Sequence, residues 1–163
     1  MKVVINACFG GFSLSPRAVK RLAELNGREC YFFTIQYKPK INFEVKIPVT
    51  LEELEADTSI LPMWSAYDVP NPDEMIGPVL RDASGTYKEY NERYEKHSLT
   101  SRPEVRHDPK LIQVVEELGG EHRKGASGSC AELRIVEIPD GTEYVIEEYD
   151  GNEHIAEVHQ TWR

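Results

Sequence analysis

Tyr144-Val145-Ile146-Glu147-Glu148-Tyr149-Asp150-Gly151-Asn152-Glu153-His154-Ile155-Ala156-Glu157, continuing to Trp162, reads as two strand-like runs, 144–149 and 155–162, on either side of the two-residue turn Asp150-Gly151. Asp-Gly supplies two central residues that tolerate positive φ, as a type I′ turn demands, and β-prone runs flank it on both sides. The turn sets the register. Tyr149 faces Asn152, Glu147 faces His154 and Val145 faces Ala156. Just upstream, the strand-like run 133–138 and the turn Pro139-Asp140-Gly141 extend this pair into a C-terminal antiparallel hairpin or meander.

Working outward, Asp108-Pro109 opens a helix in which Leu111, Val114, Val115 and Leu118 recur at helical spacing, and Gly119-Gly120 ends it. At the other end of the chain, Val3-Val4-Ile5-Asn6-Ala7-Cys8 reads as a buried strand, broken by Phe9-Gly10-Gly11-Phe12-Ser13-Leu14. Ser15 as N-cap, with Pro16 at the first helical position, then starts a helix over 15–26 that Asn26-Gly27 closes. Strand-like runs at 31–37 and 41–47 are expected to pair. Between 48 and about 84 the pattern degrades. Thr50 with Glu53 fits a capping box, but Pro62, Pro70, Pro72, Gly77 and Pro78 argue against long regular elements. Tyr87, Tyr90 and Tyr94 give the span 84–96 an aromatic helical stripe, suited either to core packing or to stacking a purine base. The expected fold is α+β: one small mixed sheet, two amphipathic helices on one face and the C-terminal hairpin. A single domain, 1–163, would carry 38–104 as an insertion or cap.

The length of 163 residues suits that single domain, and 40% apolar with 29% charged residues is an ordinary globular composition. No membrane-length apolar run or signal peptide is legible, so a cytoplasmic protein without a membrane partner is expected. Cys8, Cys30 and Cys130 form no C-x-x-C pair and read as reduced thiols. The net charge of −9 excludes a general DNA or RNA binder. The charge is uneven, however. Residues 1–46 carry eight Lys/Arg against three Glu, whereas 132–163 carry nine acids against Arg134 and Arg163. Either the regions neutralise one another on folding, or the first third supplies a positive field for an anion.

The strongest candidate for chemistry is the 10–15 loop. A helix start leaves backbone N–H groups unpaired, and adjacent glycines let the backbone close on an anion. Gly10, Gly11, Phe12, Ser13, Ser15 and Arg17 are the candidate ligand-binding residues there. Arg102 and Arg106, from a basic island with His97 and His107, would neutralise charge, and Tyr90 would stack a base. The loop lacks the Gly-Lys-Ser/Thr ending of a P-loop, and a tight strand-to-helix turn with Phe9 and Phe12 as core plugs is the competing reading. None of the five histidines has metal-ligand spacing, so neither a metal nor a cofactor is expected. His154 opposite Glu147 is a candidate general base or a plain cross-strand pair, and Cys8 a candidate nucleophile.

The segments Asn6-Ala7-Cys8-Phe9-Gly10-Gly11-Phe12-Ser13-Leu14-Ser15, Val114-Val115-Glu116-Glu117-Leu118-Gly119, 133–139 and Ile146-Glu147-Glu148-Tyr149-Asp150-Gly151 on to Trp162 carry a resemblance. With them the chain resembles uncharacterised small proteins of tailed phages, prophages and related mobile elements over about half its length, the segment from roughly 38 to 104 looking like an insertion into a shorter family plan. The resemblance implies a phage accessory protein in the host cytosol, a class that frequently counters host defence, in some cases as a sponge for nucleotide signals. Three functions follow as expectations: sequestration of a small anionic, nucleotide-like ligand; hydrolysis of such a nucleotide with His154 or His107 as base; and acidic inhibition of a host protein. A homo-oligomer is also expected, since edge strands of a small sheet are commonly covered.

Overall fold

The computed structural model describes residues 1–38, 43–57, 59, 63–76, 86–100, 103, 105–121 and 125–158. In chain order the elements are β1 (Lys2–Asn6), α1 (Pro16–Leu25), β2 (Tyr31–Lys38), β3 (Phe43–Val49), α2 (Leu51–Ala56) and β4 (Trp64–Tyr67). They continue with α3 (Pro72–Ile76), α4 (Thr86–His97), α5 (Pro109–Leu118), β5 (Leu133–Glu137), β6 (Tyr144–Tyr149) and β7 (Asn152–Glu157). The fold is α+β. No helix among the described residues is long and apolar enough to cross a membrane. The chain packs as two compact units, Met1–Ala18 with Arg102–Arg163, and Val19–Ser101, so the border falls inside α1.

In the first unit β1 pairs antiparallel with β5, Val4 opposite Ile135, and α5 lays Leu111, Val114 and Val115 against them. Asp108 caps α5 as its sequence predicts, its carboxylate accepting from the Lys110 N–H at 2.7 Å. β6 and β7 pair in the register that the Asp-Gly turn dictates, Glu147 opposite His154 and Val145 opposite Ala156. Asp150 and Gly151 take φ of 50° and 82°, the left-handed pair that this turn needs.

One mixed sheet is not what forms. The strands make three separate antiparallel sheets, β1–β5, β3–β2–β4 and β6–β7. The reason lies on the open flank of β1, where side chain and loop take the bonds that another strand would make. The Val4 N–H donates to the carbonyl of Arg106 (2.8 Å), and the Asn6 N–H donates to the Glu153 carboxylate (2.8 Å).

In the second unit β2 pairs with β3, as expected, and on its other side with β4, which the proline pattern hides. Pro70 lies beyond that four-residue strand and does not interrupt it, and Pro62 lies outside the described residues. The capping box of α2 forms in both directions between Thr50 and Glu53. Phe33, Tyr67 and Ile76 make the local core, with Tyr31, Val69, Tyr90 and Tyr94 packed on it.

Gly151 also closes on the neighbouring glycine loop. A Cβ added there would stand 2.2 Å from the Gly11 nitrogen, whereas one at Gly141, at a similar φ of 79°, would meet nothing within 4 Å. Gly141→Ala should therefore cost only the left-handed backbone penalty, about 1 kcal/mol, and Gly151→Ala clearly more. Urea denaturation of the two variants measures the difference, and equal losses would show that the close approach carries no weight.

Candidate functional site

Val3, Val4 and Ile5 form a β-branched run with no exposed face, so the polar residue that ends it must find its partners inside. Asn6 is fully buried and does so. Its Nδ2 donates to the carbonyls of Cys8 and Gly151 (2.7 Å each), and its Oδ1 accepts from the Glu132 N–H at 2.8 Å. One side chain thereby ties the end of β1 to the approach of β5 and to the β6–β7 turn. The Glu153 carboxylate, 3% exposed, takes the backbone N–H of Asn6 and a two-pronged bond from Arg106 (3.2 and 3.0 Å).

Arg106 is 4% exposed. Its Nε donates to the Pro103 carbonyl (3.0 Å), and its guanidinium carbon lies 3.6 Å from the centre of the Phe12 ring. The planar group is bonded at its edge and stacked on its face, the environment in which arginine tolerates burial.

The 10–15 loop is held from two sides. The Gly10 N–H donates to the Asp150 carbonyl (3.1 Å), and the Gly128 N–H donates to the Ser13 carbonyl (3.0 Å). Ser15 fulfils its N-cap role, its hydroxyl accepting from the Ala18 N–H at 3.1 Å while donating to the Gly125 carbonyl at 2.6 Å. Gly11 presents an open side, and Ser13 and Arg17 are exposed. Among the proposed ligand residues the structure thus holds Gly10, Gly11, Phe12, Ser13 and Ser15 in one loop with Arg17 in the first turn of α1, and brings Arg106 onto Phe12. That contact and the Glu153 pair make Arg106 part of the interior.

Tyr90 belongs to the second unit, where it stacks on Tyr94 (6.1 Å between centroids) and joins the Phe33–Tyr67–Ile76 core, the packing role of its stripe. Arg102 lies outside the described residues, as does the Trp162 end of the resemblance. The basic island disperses by partner. His107 Nδ1 is 2.7 Å from the Tyr144 hydroxyl, and His97 Nδ1 is 2.8 Å from Asp68. His154 does face Glu147, at 3.1 Å, but both side chains are more than half exposed. Burial, with Glu132 next, pushes the Cys8 thiol up, opposite to what a nucleophile needs. Burial likewise takes Cys30 to about 11.

Two groups escape the sequence reading. Asn6 carries a signal, as a polar residue closing an apolar strand. Glu153 carries another: the hairpin register sets it opposite Glu148, and two like charges across a strand pair require a cation nearby. In the second unit Asp68 receives the Arg28 fork on one oxygen (3.1 and 2.9 Å) and His97 on the other. Burial alone would raise the pKa of Asp68, but the His97 and Arg28 hydrogen bonds outweigh it and hold the carboxyl below its ordinary 3.8.

Comparison with family models, curated proteins and solved structures finds no match for the chain.

Arg106→Met leaves the Glu153 charge buried without its cation and should destabilise the first unit by about 3–5 kcal/mol, whereas Arg106→Met with Glu153→Leu should recover much of that loss. Chemical denaturation of the two variants checks this, and a double variant no better than the single would refute the pairing. Asp68 has a depressed folded pKa, so its stabilisation is present above pH 3.8 and is lost as pH falls through the lower folded value. The deficit of Asp68→Asn relative to the parent chain should accordingly shrink on acidification. A deficit constant from pH 6 to pH 2.5 would contradict it.

Proposed function

We propose that the chain is a non-catalytic binding protein that occupies a basic face of a protein partner, acting as a phage-type accessory protein on a host factor. One observation carries this reading. The hairpin acids Glu143, Glu147, Glu148, Asp150 and Glu157 are all exposed, and apart from Glu147 with His154 they have no ion-pair partner among the described residues. They share the hairpin with Val145 and Tyr149, 44% and 79% exposed.

Carboxylates displayed on a ribbon anchored by a buried ion pair offer a nucleic-acid-binding face the charge that it is built to meet. Exposed apolar and aromatic groups among them add the contact area that charge alone does not give. The charge distribution of the folded chain agrees with this. By sequence the first unit holds nine bases against fourteen acids and the second ten against fourteen, so neither unit is net positive.

The probe is a fluorescein-labelled ten-residue arginine peptide, followed by anisotropy at low salt. Glu147→Lys with Glu157→Lys should weaken its capture about tenfold, and binding should fall steeply with added salt. Glu74→Lys with Glu95→Lys, exposed acids of the second unit, should leave capture within about twofold. Equal losses from both pairs would mean that only net charge is read, and would remove the proposal.

A second reading, capture of a small nucleotide-like anion, is favoured by the open side of Gly11 beside exposed Ser13 and Arg17 at the start of α1. Calorimetry against linear and cyclic nucleotides tests it. Heat that disappears in Gly11→Glu would move the assignment to this loop, and no heat with any of them would eliminate it.

A further inference from the structure

The first unit is assembled from two stretches of chain, Met1–Ala18 and Arg102–Arg163, with the whole of the second unit threaded between them. Everything described above that joins the stretches is non-covalent: the β1–β5 ladder, the Asn6 side chain and the Arg106–Glu153 pair. Two of the three cysteines lie at this seam, one on each stretch.

Cys8 follows β1, and its Sγ is 3.5 Å from the carbonyl oxygen of Cys130, a residue 122 positions away. The backbones are drawn together just beyond the ladder, where the Ala7 N–H donates to the Glu132 carbonyl at 2.7 Å and Asn6 bonds both Cys8 and Glu132. Gly10 permits the approach. A Cβ there would stand 2.9 Å from the Cys130 Cβ and 2.7 Å from its carbonyl oxygen, and only glycine leaves that space. Neither cysteine is fully buried. Cys30 belongs to the second unit, near Lys20 and Glu24.

We propose that Cys8 and Cys130 are a reversible modification site, forming a disulfide that clasps the two stretches of the first unit. With oxidised glutathione as oxidant, one thiolate attacks a glutathione sulfur, forming a mixed disulfide and releasing one glutathione thiolate. The second cysteine's thiolate then attacks the protein sulfur of that mixed disulfide and expels the other glutathione. Two cysteine thiols become one disulfide, one disulfide becomes two glutathione thiols, and the two protons pass to the released thiolates. The bond closes a loop that contains the entire second unit, the long-loop case in which a cross-link restricts the unfolded chain most. The raised pKa of Cys8 makes the exchange slow near neutral pH and faster as pH rises.

The full chain is incubated with oxidised or reduced glutathione at pH 7 and pH 8.5, alkylated, digested and mapped by mass spectrometry without reduction. The expected product is a single intramolecular Cys8–Cys130 linked peptide, formed faster at the higher pH and removed by dithiothreitol. The oxidised chain should unfold at least about 5 °C higher. Cys30→Ser should keep both results and Cys130→Ser should lose both. If Cys130→Ser does not fold, the peptide map of the parent chain decides alone. Glutathione adducts without the linked peptide, a linkage through Cys30, disulfide-joined dimers, or a Cys8–Cys130 bond without a rise in Tm would each overturn the proposal.

Discussion

Glu153 is the carboxylate on which the first unit depends. It stands 3% exposed on β7, yet it completes the hydrogen bonding of β1 and neutralises Arg106, which lies 47 residues earlier in the chain. A buried carboxylate with one partner missing is among the costliest defects a small unit can hold, so the position of every neighbour is tightly constrained. Phe12 closes the open face of the guanidinium, and the glycine loop that carries Phe12 is thereby held against the interior. Asn6 completes the arrangement by binding the Gly151 carbonyl, which brings the hairpin turn down on Gly10 and Gly11. Strand, loop and hairpin are one polar network in an apolar setting, the kind of network that specifies a single arrangement when every member is satisfied.

That network explains why the most conspicuous motif of the sequence has an architectural use. Two consecutive glycines at a helix start suit an anion because they expose backbone N–H groups. Here Gly10 spends its N–H on Asp150, and both glycines take positive φ, 115° and 90°, so that Gly151 can approach. Ser15 is occupied as well, by Ala18 and Gly125. The open part of the loop narrows to Gly11 and Ser13, one side of what the sequence offered.

What could be read in the sequence was local. The register of β6 and β7 follows from two residues, Asp150 and Gly151, because a type I′ turn permits one pairing. The ends of α1, α2 and α5 follow from Ser15-Pro16, from Thr50 with Glu53, and from Asp108-Pro109 for the same reason: each cap is a short-range hydrogen bond. β4 was hidden because a four-residue strand has no periodicity to detect, and its prolines mark edges in one setting and breaks in another. The single mixed sheet failed at a long-range event, a side chain of residue 153 replacing a neighbouring strand at residue 6. Of the candidate site, the loop cluster was legible as contiguous residues. The roles of Arg106 and Tyr90 were not, because burial is decided by partners 47 and 23 positions away, at Glu153 and Tyr67.

Charge gives the same lesson in a form that bears on function. A +5 excess over residues 1–46 is a fact about chain order, and fields depend on positions in space. On folding, Lys2 meets Glu116, Arg28 meets Asp68 and Lys46 meets Asp73, so much of the apparent positive region is neutralised pair by pair. Pairing of this kind consumes acids and bases equally and therefore leaves the surplus of nine acids untouched. The β6–β7 hairpin carries part of it: among the described residues Glu143, Glu148, Asp150 and Glu157 have no ion-pair partner, while Arg134 is engaged by Glu132 and Arg106 is buried against Glu153. The buried pair that anchors the hairpin also keeps one cation, Arg106, away from its surface. The interaction holding the unit together and the acidity of its exposed face thus have a common origin.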